Sequence, residues 1–179
     1  MTRKTTPEPR QDILSRLSKK QQHGFSLALL FILPVILFHS TIIGGEQFMG
    51  HDTIQWRASA ESLFEHRAEH DGEEPLWSIN MFGGMPAYVI HVSKSVPHLD
   101  NMIFDRLRSI WPAVPYWVLL GGAYFFFILQ GFRPVISALG AIFIGFTTYL
   151  PIIIGAGHNA KFIAFSYIPW MLAGYWLVT

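Results

Sequence analysis

Two short stretches hold the side chains of this sequence best suited to chemistry. The first is Gly50-His51-Asp52-Thr53-Ile54-Gln55; the second, about a hundred residues on, is Gly157-His158-Asn159-Ala160-Lys161. A carboxylate such as Asp52, beside an imidazole, can accept a proton from a hydroxyl or bind a divalent cation. In the second stretch Lys161 offers a point charge for a phosphate, and His158 a ring nitrogen to orient one. Both stretches also have a purely structural use. Asp52 followed by Gln55 three residues later has the pattern of a helix capping box. Asn159 can likewise cap a helix, with Lys161 as an interfacial anchor. His51, Asp52 and His158 raise the idea of a metal site, but neither His51 nor His158 has a second histidine at helical ligand spacing. The metal is therefore left unknown and a divalent cation stays open as cofactor.

The elements that position these residues are apolar. The chain is 51% hydrophobic and 14% charged, with a mean hydropathy of +0.32, more apolar than an ordinary soluble domain of 179 residues. Four uncharged runs, 24–43, 111–132, 134–156 and 162–179, are each about long enough to cross the hydrocarbon core as a helix. In lipid every backbone amide needs an internal partner, so each run is expected to be helical, with Pro34, Pro151 and Pro169 tolerated as kinks. The expected fold is all-α: a polytopic transmembrane helical bundle of about four spans, with a long extracytoplasmic loop bearing amphipathic helices. Membrane lipid is the expected partner. A net charge of +1 and a short basic tail without aromatic residues give no reason to expect nucleic acid. With no cysteine, the redox compartment cannot be read.

Orientation follows from the basic residues. The tail 1–23 carries Arg3, Lys4, Arg10, Arg16, Lys19 and Lys20 against Glu8 and Asp12, which predicts a cytoplasmic N-terminus. The loop 44–110 and the turn 157–161 then lie outside, and Arg133 inside. Arg106 and Arg108, on the outer side of the second span, run against this, but the N-terminal cluster is larger and comes first. The first run is too long for a signal-peptide core and lacks a cleavage site, so it reads as a retained anchor. The sequence ends within, or just at the end of, its expected fourth span, and a longer polytopic protein is expected. Asp52 and Lys161 should meet at one depth on the outer face.

The outer loop contains two helical patterns. Trp56, Ala60, Leu63 and Phe64 share one face of a helix over Thr53–His70, with Glu61, Glu65 and Glu69 on another. Leu99, Met102, Ile103 and Ile110 line a second over His98–Ile110. Such faces either lie on the membrane surface or pack on the bundle. Between them, Trp77, Asn80, Phe82, Gly83 and Gly84 suit a rigid turn that approaches a ligand closely, or simply an ordered turn.

A first span followed by Gly50-His51-Asp52-x-x-Gln55, then by Pro75-Leu-Trp77-Ser-Ile-Asn80-Met-Phe82-Gly83-Gly84-Met-Pro86, resembles the start of the YfhO-type bacterial membrane proteins. The later Gly157-His158-Asn159-Ala-Lys161 turn is similar to members from Bacteroidetes-like bacteria. The resemblance covers about Phe25 to Thr179, the N-terminal part of a longer family chain. That family is similar to the GT-C glycosyltransferases, multi-spanning enzymes that use polyprenyl-phosphate sugars on the outer face, and the resemblance implies the bacterial inner membrane as the location. The resemblance implies a polyprenyl-phosphate sugar donor and a cell-envelope acceptor. It implies that Asp52 is the catalytic acidic residue of the first outer loop, its carboxylate acting as general base on the acceptor hydroxyl or positioning it. His51, Gln55, Trp77, Asn80, Gly83, Gly84, His158, Asn159 and Lys161 are the expected substrate-binding residues, with His158 and Lys161 assigned to the lipid phosphate on topology and charge. Many GT-C members carry a pair of acids here; this chain has one Asp flanked by His51, which leaves base assignment and metal use open. Two other classes stay in view. A transporter or flippase of lipid-linked material calls for ionisable residues inside the spans, which hold almost none. A non-catalytic assembly subunit calls for no convergence of the site residues.

Overall fold

The computed structural model describes residues 17–46, 49–91, 107 and 110–179. The described chain is mostly helical, with eight helices and one two-stranded hairpin. The first helix, α1 (Lys19–Leu37), starts at a true capping box: the Ser18 hydroxyl accepts from the Gln21 amide, and the Gln21 side chain accepts from the Ser18 amide. It therefore begins five residues before the apolar run. Pro34 cannot donate an amide to the ladder, and the helix ends within a turn of it, at Phe38, before the short α2 (His39–Ile42).

Beyond the loop, α5 (Ala113–Leu129) is followed by α6 (Pro134–Gly145), which Pro134 opens from the first helical turn, where its missing N–H costs nothing. The run expected as one helix over 134–156 is two. Helix α7 (Tyr149–Ala156) is bent by 45° from α6. Pro151 has no N–H for the Thr147 carbonyl, and its ring would crowd that carbonyl in a continuous helix. Thr147 Oγ1 also bonds back to the Ile144 carbonyl, which helps close α6 at the break. Helix α8 (Asn159–Val178) takes in Asn159–Lys161, so the expected turn 157–161 shrinks to Gly157 and His158.

Helix α5 is central, packed against α8, α6 and α1. One core cluster joins Phe38 after α1, Tyr116 and Leu119 on α5, Ile153 on α7 and Phe162 on α8. The other joins Leu30, Leu120, Ala123, Tyr124, Ala138 and Ala141. The ends of α1 and α7 thus lie with the starts of α5 and α8, as alternating up-and-down connections require.

The loop is its own small unit. Helix α3 (His51–Glu69) is followed by an antiparallel hairpin, β1 (Trp77–Ser78) with β2 (Met85–Pro86), and by α4 (Ala87–Ile90). The helix expected over Thr53–His70 forms two residues early. Ala60 and Leu63 are buried, and α3 packs against β1 and α4. The apolar face is thus covered mainly by the loop itself. The Trp56 indole donates to the Ile90 carbonyl, and Trp56 and Phe64 both meet the His91 ring edge-on. The hairpin turn uses positive φ at Phe82, Gly83 and Gly84, in keeping with a Gly-Gly turn. The helix expected over His98–Ile110, apart from Leu107 and Ile110, and the basic residues up to Arg16 lie outside the described residues.

Among the described residues one helix, α1, is long and apolar enough to cross a membrane, and the bent pair α6–α7 makes a second if taken as one span. Helix α5 is apolar but has 17 residues. Helix α8 has 20, with a mean hydropathy lowered by Lys161 and its Tyr and Trp rings.

Candidate functional site

The apolar run of α7 stops at Gly157, which takes the left-handed conformation (φ 97°) that a side chain resists. The amides of Gly157 and His158 return to the Ile154 and Ile153 carbonyls, the paired bonds of a glycine helix stop. The next residue, His158, is already the N-cap of α8. Two helices are thereby joined through two residues at the end of the bundle where α1 also finishes.

Gly50, the N-cap of α3, packs directly on this turn. A β-carbon built on Gly50 would lie 2.3 Å from the Gly157 nitrogen and 2.4 Å from its Cα. Only two bare backbones can come so close. Thr53 then ties the contact: its hydroxyl donates to the Gly157 carbonyl and accepts from the Asn159 amide, both at 3.3 Å. With the backbones clasped, Asp52 Oδ2 faces His158 Nδ1 at 3.2 Å, both side chains a little under half exposed. Asp52 sits in the first turn of α3, where the helix dipole favours a carboxylate. An exposed pair of this kind contributes little to stability, at most about 1 kcal/mol. Its consequence is chemical: Nδ1–H held by a carboxylate leaves Nε2 as the basic nitrogen.

The structure brings Asp52, His158 and Asn159 together and corrects the structural roles expected for them. Asp52 is no capping residue, because the N-cap is Gly50 and no side chain caps α3. Gln55 reaches His51 instead, its Nε2 lying 2.9 Å from the imidazole Nε2. Asn159 is the first residue of α8 rather than its cap, and its side chain is spent on Thr53. Lys161 is exposed in the first turn of α8, and among the described residues it forms no ion pair with Asp52. The hairpin residues Trp77, Asn80, Gly83 and Gly84 are held elsewhere. Ser78 lies against Ser62, ten residues and therefore about 15 Å along α3 from Asp52. The close approach expected of Gly84 is to Trp77, whose Nε1 a β-carbon there would meet at 2.3 Å. Among the described residues no three His, Asp or Glu side chains converge to hold a metal ion.

Three residues of the clasp, Gly50, Thr53 and Gly157, were not among the expected site residues. Their signal is the repeated Gly-His-Asx triplet, Gly50-His51-Asp52 and Gly157-His158-Asn159, each at the start of a helix. Comparison with family models, with curated proteins and with solved structures finds no match for this chain.

Proposed function

We propose that the bundle is membrane-embedded. On this reading the chain is the N-terminal membrane part of a glycosyltransferase that uses a polyprenyl-phosphate sugar and a cell-envelope acceptor on the outer face. One observation carries the reading: a carboxylate and an imidazole about a hundred residues apart in the sequence meet at 3.2 Å, at one end of a helical bundle. The membrane setting is supported by large apolar side chains left exposed on the outside of the helices, among them Phe25, Phe31, Ile36, Phe143, Ile152 and Leu177. A surface this apolar calls for a covering other than water.

In the proposed reaction the acceptor hydroxyl loses its proton to Asp52, directly or through the imidazole that Asp52 holds. The hydroxyl oxygen bonds to the anomeric carbon, and the bond from that carbon to the lipid phosphate breaks. The electron pair leaves with the phosphate, for which Lys161 is the nearby cation. General base catalysis of this kind contributes about 100- to 10,000-fold. In full-length context Asp52→Asn is expected to lower sugar transfer by that factor while expression and insertion stay normal. An unchanged rate removes Asp52 from the mechanism.

A second reading, transport of lipid-linked material, draws on His23. Its Nδ1 lies 2.6 Å from the hydroxyl of buried Tyr124, an ionisable side chain turned towards the bundle. Loss of transport in proteoliposomes on His23→Ala, with Asp52→Asn silent, selects this reading instead.

A further inference from the structure

From Pro75 to Ile90 the loop contains no charged residue, yet its largest apolar side chains are turned outward. Leu76 is 87% exposed, Ile79 75% and Phe82 88%, with Trp77, Tyr88 and Val89 also exposed. Phe82 holds a φ of +52°, a conformation that bulky residues avoid at a cost of about 1–3 kcal/mol. Backbone strain is thus spent on a turn that displays a phenylalanine instead of burying it.

The side of α3 that carries this hairpin is set by helical periodicity. At 100° per residue, Thr53, Trp56, Ala60 and Leu63 fall on one face. Thr53 contacts the end of the bundle at Gly157, so this face is turned towards the bundle. Trp56 bonds to Ile90 from the same face, and α3 contacts β1 and α4. The hairpin and α4 therefore lie on the bundle side of α3. Glu61, Glu65 and Glu69 are exposed on another side. Arg67, on that same face of α3, is paired with Glu74, so the uncharged surface on the bundle side is the hairpin itself with Trp77 and Tyr88. Set against carboxylates on the other side, it matches water above and lipid below.

We infer that the hairpin turn around Leu76, Ile79 and Phe82 inserts into the bilayer surface beside the bundle, anchoring the loop over the membrane. This rests on the bundle being membrane-embedded. Apolar faces of this kind settle roughly 5–10 Å into the headgroup and acyl boundary. Anchoring the far end of α3 would hold its near end, with Asp52, against the Gly157 turn.

The chain has no cysteine, so single cysteines can be labelled without background. The test places a fluorophore at Leu76→Cys, Ile79→Cys or Phe82→Cys in the full chain, reconstituted in phosphatidylcholine–phosphatidylglycerol vesicles. Glu65→Cys serves as the water-side reference and Phe31→Cys as the bundle reference. Quenching by shallow spin-labelled lipids at 76, 79 and 82, with protection from iodide there and full iodide quenching at 65, is the expected result. Iodide quenching at 76, 79 and 82 while position 31 is quenched by lipid overturns the insertion alone. Protection from both quenchers also overturns it, because a protein surface then covers the hairpin. Absence of lipid quenching at position 31 overturns the membrane reading itself, and the insertion with it.

Discussion

Replacing Gly50 by alanine is the sharpest test of the clasp, because it adds one methyl group and touches neither Asp52 nor His158. That methyl would sit 2.3 Å from the Gly157 nitrogen and 2.8 Å from the Ala156 carbonyl carbon. Ordinary contact needs more than 3.4 Å, so the two backbones must part by about 1 Å. A gap of that size stretches the 3.3 Å Thr53–Gly157 bond beyond hydrogen-bonding range and pulls Asp52 away from His158. Overpacking of this kind costs roughly 1–3 kcal/mol. Converted at tenfold per 1.4 kcal/mol, the docked state opens about 5- to 150-fold more often. Hydrogen exchange read by mass spectrometry should therefore speed up by that factor in the first turn of α3 and in the α7–α8 turn, and little in α5. Gly155→Ala is the matched control, since a β-carbon there meets nothing within 4 Å. Equal exchange in Gly50→Ala and Gly155→Ala refutes the backbone clasp.

Other substitutions probe the remaining contacts. Thr53→Val removes the hydroxyl that serves both Gly157 and Asn159, and is expected to cost about 1–3 kcal/mol by leaving part-buried groups unpaired; the same exchange assay should register it at both ends of the clasp. Gly84→Ala drives a methyl into the Trp77 indole at a φ of +120°, so limited proteolysis should cut the hairpin faster while the bundle stays resistant. Gly122→Val places carbon 2.6 Å from the Trp170 indole, whose N–H donates to the Val118 carbonyl. It should lower the unfolding midpoint in detergent, consistent with a cost of about 1–3 kcal/mol, whereas Gly174→Ala, with nothing within 4 Å, should not.

The helical character of the chain was legible because uncharged runs and a period of 3.6 report directly on the α-helix. The boundaries were less so. The run 134–156 looks continuous to hydropathy, which does not register that Pro151 lacks the amide Thr147 needs. The start of α1 was hidden for the converse reason. Lys19 to His23 are polar and lie outside the apolar run, yet Ser18 and Gln21 satisfy the orphan amides and let the helix begin there. Composition also gave no warning that the apolar face of α3 would be covered within its own loop. That covering depends on Ser78, Ile90 and His91 returning to the helix, a tertiary event with no local signature.

For the site, residue types were enough to choose Asp52 and His158, and alternation of the helices was enough to put them at one end of the bundle. What the residue types did not reveal is how contact is enforced. An exposed Asp–His pair is too weak to draw two segments together, since its attraction is largely screened by water. The work falls to Gly50 and Gly157, each fixed by a local need: one is the N-cap of α3, the other a left-handed helix stop. Because both lack a side chain, the helix start and the helix stop can touch backbone to backbone, and the residue one or two places on from each glycine is carried into reach of its partner. Asp52 and His158 thus meet as a consequence of the clasp. It follows that Asp52→Asn should leave hydrogen exchange at the α3–Gly157 contact essentially unchanged, whereas Gly50→Ala should disturb it with both polar side chains intact. If Asp52→Asn loosened the contact as much as Gly50→Ala, the Asp52–His158 contact would be holding the backbones together and the glycines would follow from it instead of causing it.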